Sequence, residues 1–198
     1  MFPLPMLLNI ETWPVLVVGG GTVAARKARA LLDHGARVTM VAPNFGEVPH
    51  EVVRIVDKFN PVHLAGKRMV FAAANLAAVN DSVCAAARDY GVLCNRVDAG
   101  QGRTAADFST PPHRTDGDVT VIATAGSPAL SKRLLDDLRP DKRVTAMARV
   151  MAELRPWIVA HVPEERRRDL FRRLVQEDAL DAALEGFTAV KRLVDTFE

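Results

Sequence analysis

Three consecutive glycines, Gly19-Gly20-Gly21, run into Thr22-Val23-Ala24 and complete the pattern G-x-G-x-x-A of a dinucleotide-binding turn. In such a turn Gly19 permits the tight bend, Gly21 lets the backbone approach a pyrophosphate, and Ala24 is small enough for a helix to pack closely on its strand. Unpaired amides and the dipole at the start of the following helix attract the phosphates. Further along, Asp98 closes the apolar run Val92-Leu93-Cys94-Asn95-Arg96-Val97. A carboxylate where a parallel strand emerges can take a proton from a substrate while a nicotinamide nearby takes a hydride. General-base help of this kind contributes roughly 10²- to 10⁴-fold in rate. By position alone Asp98 reads equally well as a loop-capping residue. Asp107, Asp116 and Asp118 lie in a turn-rich stretch and read as turn formers.

The second expected element of a dinucleotide site is absent. The chain reads Ala42-Pro43-Asn44 where an acidic residue usually meets the ribose hydroxyls, and no arginine stands there to favour a 2′-phosphate. Asn44 can hydrogen-bond a ribose, but the motif does not separate NAD from NADP.

The elements that must position these residues follow from periodicity. Val15-Leu16-Val17-Val18, Arg37 to Ala42, Met69 to Ala73 and Val92 to Val97 are short apolar runs suited to buried parallel strands, with a weaker strand near Val52 to Val56. Val23, Ala24, Ala28 and Leu31 mark a helix closed by Gly35. Val79, Val83 and Ala87 mark another, with Asn75 as its cap and Gly91 at its end. Strand and helix alternate as in βαβ units, which predicts an α/β fold with a Rossmann-type parallel sheet. Residues 99–118 read as a long loop, Val119 to Ala123 as a strand, and Ser127-Pro128 as the cap and first turn of a helix carrying Leu130, Leu134 and Leu138. Beyond Asp141 three helices are predicted, the first bent or ended before Pro156, the last running through Leu180, Leu184, Phe187, Val190 and Val194. The expected division is a Rossmann domain over 1–112, a small connecting module over 113–143 and an α-helical C-terminal domain over 144–198.

With 198 residues, 48% of them hydrophobic and 25% charged, and a net charge of +2, the chain is neither a polyelectrolyte nor a membrane-spanning protein. The first residues carry no basic segment of a signal peptide. Cys84 and Cys94 have no redox or zinc spacing and read as reduced thiols, so a cytoplasmic protein is expected. The five histidines show no ligand-like spacing, and no permanent metal site is expected.

Val15 to Ala28, Gly35-Ala36-Arg37-Val38-Thr39, Val41-Ala42-Pro43, Cys94-Asn95-Arg96-Val97-Asp98, Asp107-Phe108 with Pro111, and Gly126-Ser127-Pro128 together resemble the precorrin-2 dehydrogenase / sirohydrochlorin ferrochelatase family. The resemblance covers nearly the whole chain. It implies NAD-dependent oxidation of precorrin-2, a tetrapyrrole, to sirohydrochlorin in siroheme biosynthesis. Thr22 and Val23 then meet the dinucleotide phosphates, Pro43 and Asn44 line the ribose, and Asp98 is the catalytic carboxylate. Asn95, Thr124 and His113 become candidates for the substrate pocket, His113 being the best placed to handle iron. Some members of the family also insert ferrous iron as a ferrochelatase, which is the alternative reading here. Members are homodimers, so the 113–143 module, with its strand and leucine stripe, is expected to form part of a dimer interface. With no methyltransferase segment in the sequence, the free-standing form is expected. The chain departs from the family at Thr124-Ala125-Gly126-Ser127-Pro128, one residue shorter than the usual motif, and at Ala99 to Ala106. Both changes weaken the chelatase reading more than the dehydrogenase reading.

The arginines at 166–168, 172 and 173 fit either a surface for substrate carboxylates or a solvated helix face balanced by Glu164, Glu165, Asp169 and Glu177. A nucleotide-sensing regulator that binds nucleic acid through this tail is a further alternative. The tail has no interleaved aromatics and no groove-reading motif, so neither a nucleic-acid nor a membrane partner is expected.

Overall fold

The computed structural model describes residues 4–98, 106–125 and 127–197, in two compact units divided after Ser109. Expectations about 99–105 and Gly126 fall outside the described residues.

The first unit is built on a five-stranded parallel sheet. In chain order its elements are β1 (Pro14–Val18), α1 (Thr22–Asp33), β2 (Arg37–Ala42), β3 (Val53–Val56), a 3₁₀ turn at Pro61–Leu64, β4 (Met69–Ala72), α2 (Ala77–Asp89) and β5 (Leu93–Arg96). The strand order is β3-β2-β1-β4-β5. Alternate side chains of β1 serve opposite faces, as strand geometry requires. Val15 and Val17 pack with Ala24, Ala28 and Leu31 of α1. Leu16 and Val18 pack with Val83 and Ala87 of α2. Both faces are therefore covered, which is why β1 and β4 are unbroken apolar runs. The chain leaves β1 toward β2 on one side and returns to β4 on the other. That reversal opens a crevice at the carboxyl ends of β1 and β4, where ligands bind in open α/β sheets.

Asn75 does not cap α2. The cap position is Leu76, without a side-chain hydrogen bond. The polar side chain at work in this turn is Asn80, fully buried, which accepts from the Ala74 amide at 2.9 Å and donates to the Ala74 carbonyl at 3.0 Å.

The second unit opens with an antiparallel hairpin, β6 (His113–Asp116) and β7 (Val119–Ile122). The sequence reading placed β6 inside a loop. Its residues are too polar to show a strand pattern, and Gly117, at φ +57°, makes the turn. α3 (Pro128–Asp137) starts as expected, with the Ser127 hydroxyl accepting from the Leu130 amide at 3.2 Å. Four helices follow: α4 (Lys142–His161), α5 (Glu164–Arg173), α6 (Glu177–Glu185) and α7 (Phe187–Thr196).

One alternative, that α4 ends before Pro156, and one expectation, a single last helix, fail here. Pro156 neither ends nor divides α4, which runs on to His161. A proline removes one backbone hydrogen bond, but Leu154 and Ile158 on either side are fully buried in the helical core, so packing carries the helix through. The last predicted helix is two, because Gly186 adopts φ +101° between α6 and α7. Much of the basic tail is tied down locally. Arg167 donates to the Val162 and Val159 carbonyls at the end of α4, and Arg173 forks onto Asp178 at 2.8 and 2.6 Å. Among the described residues no helix is long and apolar enough to cross a membrane.

Candidate active site at the carboxyl edge of the sheet

The turn after β1 separates its three glycines by their surroundings. Gly19 has φ +136°, and a β-carbon on it would stand 2.4 Å from the Ala73 carbonyl oxygen, so only glycine lets the turn pass the end of β4. A β-carbon on Gly20 would stand 2.1 Å from the Asn44 carbonyl oxygen. There the Gly46 amide donates to the Gly20 carbonyl at 2.9 Å, locking the turn after β1 to the loop after β2. Gly21 is different. Its backbone is extended, at φ −90° and ψ −176°, and a β-carbon would meet only the Asn75 Oδ1, at 3.9 Å. The protein's own packing does not demand glycine at 21, and the open space beside it is a cradle that a pyrophosphate fits.

Three further observations suit an anion at this point. No side chain caps α1, whose first turn begins at Thr22 with Val23 exposed beside it. Pro43 and Asn44 are exposed on the adjoining loop. Asn80 fixes Ala74 and with it the far wall of the crevice. The residues expected to hold a dinucleotide, Gly19, Gly21, Thr22, Val23, Pro43 and Asn44, thus share one edge of the sheet, and Asn75 joins them.

Asp98 lies two residues beyond β5 on the same edge. Neighbouring strands are about 4.8 Å apart, which sets the end of β5 roughly 10 Å from the glycine turn. The Arg96 side chain is wholly buried, and its Nε donates to Asp98 Oδ1 at 2.7 Å, with Nη2 reaching Oδ2 at 3.4 Å. Nη1 donates to Asp81 of α2, and Nη2 also donates to the Ala77 carbonyl at 3.3 Å. Asp98 first and Asp81 second hold the guanidinium firmly charged against its burial. The Asp98 side chain itself keeps 28% exposure.

Sequence reasoning missed Arg96, Asp81 and Asn80. A signal for the first was present: Arg96 and Asp98 are two apart on a strand edge and therefore share a face, and a lone arginine in an apolar run calls for a partner.

Asn95 is buried, its amide donating to the Phe108 carbonyl at 2.8 Å, while Asp107 accepts from the Cys94 amide at 2.8 Å. Asp107 therefore fastens the 106–109 segment alongside β5 rather than making an isolated turn. Phe108 meets Phe71 edge-on at 5.5 Å. His113 and Thr124 belong to the second unit, where both are exposed; His113 pairs with Ile122, so the two lie at the open end of the hairpin. Cys84 and Cys94 are buried with their sulfurs 3.0 Å apart. Among the described residues no cluster of three or more metal-capable side chains occurs.

A protein-family model described as "Putative NAD(P)-binding" matches residues 6–112. The chain belongs to this NAD(P)-binding family. Its match spans the whole parallel sheet and the glycine turn. The chain also closely resembles the siroheme synthases. It is 34% identical over 194 residues to a siroheme synthase of Methylococcus capsulatus, covering 92% of the chain and 40% of that protein. To siroheme synthase 2 of Aeromonas salmonicida it is 39% identical over 139 residues, 68% of the chain and 29% of that protein. It therefore spans well under half the length of these relatives. A solved structure described as "SirC, precorrin-2 dehydrogenase" superposes with a TM-score of 0.75 at 21% identity, covering 98% of this chain and 100% of that one. At that identity the likeness is one of fold.

Proposed function

We propose that this chain is an NAD-dependent dehydrogenase that oxidises precorrin-2 to sirohydrochlorin, with Asp98 as the proton acceptor. The observation that carries the reading is the shared edge: an open cradle at Gly21 and a partly exposed carboxylate at Asp98, both at the carboxyl ends of strands of one parallel sheet. A bound oxidised nicotinamide supplies the acceptor for a hydride equivalent. The chain's own residues do the rest. The α1 amides at Thr22 and Val23 hold the pyrophosphate, Pro43 and Asn44 line the ribose, and Asp98 takes the proton released as the macrocycle gains conjugation. The names of the relatives and of the superposed structure support this substrate class.

Within the same reading Asn95 serves the site indirectly, by holding Phe108, and His113 and Thr124 are proposed as substrate contacts. The protein acts as a homodimer, with the 113–143 segment contributing to its interface.

The test is direct. Purified protein given precorrin-2 and NAD should form NADH in equal amount with the oxidised macrocycle. An Asp98→Ala variant should fold and bind NADH but lose turnover. No NADH formation by the wild type overturns the assignment, and retained turnover by the variant makes Asp98 structural.

A further inference from the structure

We infer that Asn75 is a cofactor-binding residue, whose side-chain amide closes the Gly21 cradle from the β4 side and donates to the phosphate on the nicotinamide half of the dinucleotide. The inference rests on the reading of the glycine turn as a dinucleotide site and adds a contact on the wall opposite α1. Two asparagines stand five residues apart after β4 and do different work. Asn80 is fully buried and uses its amide on Ala74. Asn75 is exposed and does not cap α2, and among the described residues its side chain makes no hydrogen bond. Its position is nevertheless fixed. The Ala73 amide donates to the Val18 carbonyl at 2.8 Å, fastening the end of β4 to the end of β1, and Asn80 holds both polar groups of Ala74. The backbone leading into Asn75 is thereby set against the glycine turn.

The Asn75 Oδ1 stands 3.9 Å from the point where a β-carbon on Gly21 would be, and among the described residues nothing else beyond the turn itself comes within 4 Å of that point. An amide there suits a phosphate. Its Nδ2 carries two donors and its Oδ1 accepts. With neither end held, a half-turn about the last side-chain bond brings Nδ2 to the cradle. A side chain already in place gives up little freedom on meeting its ligand. The sheet order decides which phosphate it meets. β2, with Pro43 and Asn44 beyond it, lies on one side of β1, and β4 lies on the other. With the adenosine ribose at the loop after β2 and the pyrophosphate at the start of α1, Asn75 stands on the nicotinamide side.

The experiment is calorimetric titration of wild type, Asn75→Ala, Asn75→Asp and Gly21→Ala with NADH, ADP and AMP, with thermal melts alongside. ADP carries both phosphates, AMP only the one on the adenosine side. In N75A the Kd for NADH and for ADP should rise about tenfold, the loss of one hydrogen bond to a charged group. The Kd for AMP should stay within about twofold and the melting temperature within about 2 °C. N75D sets a negative charge against the phosphate and should bind ADP more weakly still. An equal loss for AMP and ADP would make Asn75 a structural residue and overturn the inference. Unchanged ADP binding in both variants would overturn it as well. Should G21A lose NADH while N75A and N75D keep it, the dinucleotide reading stands and this inference alone falls. Should the wild type bind neither NADH nor ADP, both fall together.

Discussion

Gly20 sits so close to Asn44 that a β-carbon on the glycine would stand 2.1 Å from the asparagine carbonyl oxygen. The neighbour that blocks it is backbone, so it cannot swing aside as a side chain could. Gly20→Ala should therefore push the 43–46 loop away from the glycine turn, lowering the melting temperature and weakening NADH binding together. Gly21→Ala should behave oppositely. Its β-carbon has room in the free protein, so the melting temperature should stay within about 2 °C, a shift that corresponds to at most about 1 kcal/mol for a chain of this size. NADH affinity should nevertheless fall by about tenfold or more. Thermal melts and fluorescence titration of the two variants separate packing from ligand space.

The buried amide of Asn80 clasps both polar groups of Ala74. Asn80→Ala leaves the partly buried amide and carbonyl of Ala74 without their partner, at a cost of about 1 kcal/mol. Because Ala73 and Ala74 wall the crevice beside Gly19, the variant should lose NADH affinity as well as stability. Asn80→Asp should be a partial substitute at best, since it can accept from Ala74 but not donate to it. Denaturant melts together with NADH titration check both claims.

Burial, then the hydrogen bond with Cys84, pushes the Cys94 thiol well above its ordinary value. In the folded chain it stays protonated, whereas in the unfolded chain it ionises at about pH 8.5. The contribution to stability is thus complete below that pH and declines as the pH rises past it. Both thiols should resist a disulfide reagent in the native protein at pH 8 and react fully in guanidinium. Cys94→Ala should flatten the loss of stability between pH 8.5 and 10. Fast labelling of the native protein would contradict the buried pair.

Most of the nucleotide half was legible because its signals are local. Val15 to Val18 had to be a strand buried on two sides, and the glycines that follow it narrow the turn to one kind of ligand. What was not legible depended on partners distant in the chain. Asn75 looked like the cap of α2 because nothing local distinguishes it from Asn80, five residues on, whose burial is set by the sheet. β6 was hidden because its residues are polar and its pairing with β7 is the only thing that makes it a strand. Pro156 misled because the penalty of a proline is local while Leu154 and Ile158 repay it through tertiary packing. At the candidate site Asp98 could be singled out from its place at a strand end, but its ion pair with Arg96 and that of Arg96 with Asp81 could not, since Asp81 approaches from another element.

The choice between the two nicotinamide dinucleotides turns on Asn44. It is exposed at the start of the loop after β2, next to Pro43, and no cation stands within the stretch Ala42 to Glu47 to meet a 2′-phosphate. NAD should therefore be the better substrate. Asn44→Asp should sharpen that preference, because a carboxylate accepts hydrogen bonds from the ribose hydroxyls and repels a phosphate in their place. Asn44→Arg should reverse it, since a guanidinium pairs with phosphate. A change of about tenfold in the ratio of kcat/KM for NAD to that for NADP, in opposite directions for the two variants, corresponds to about 1.4 kcal/mol each way. The Gly20 contact involves only the backbone of residue 44, so neither substitution should disturb the turn, and equal thermal melts would establish that the ratio reports recognition. Ratios that stay put in both variants would mean that the ribose lies elsewhere, and that the loop after β2 is not the adenosine end of the site.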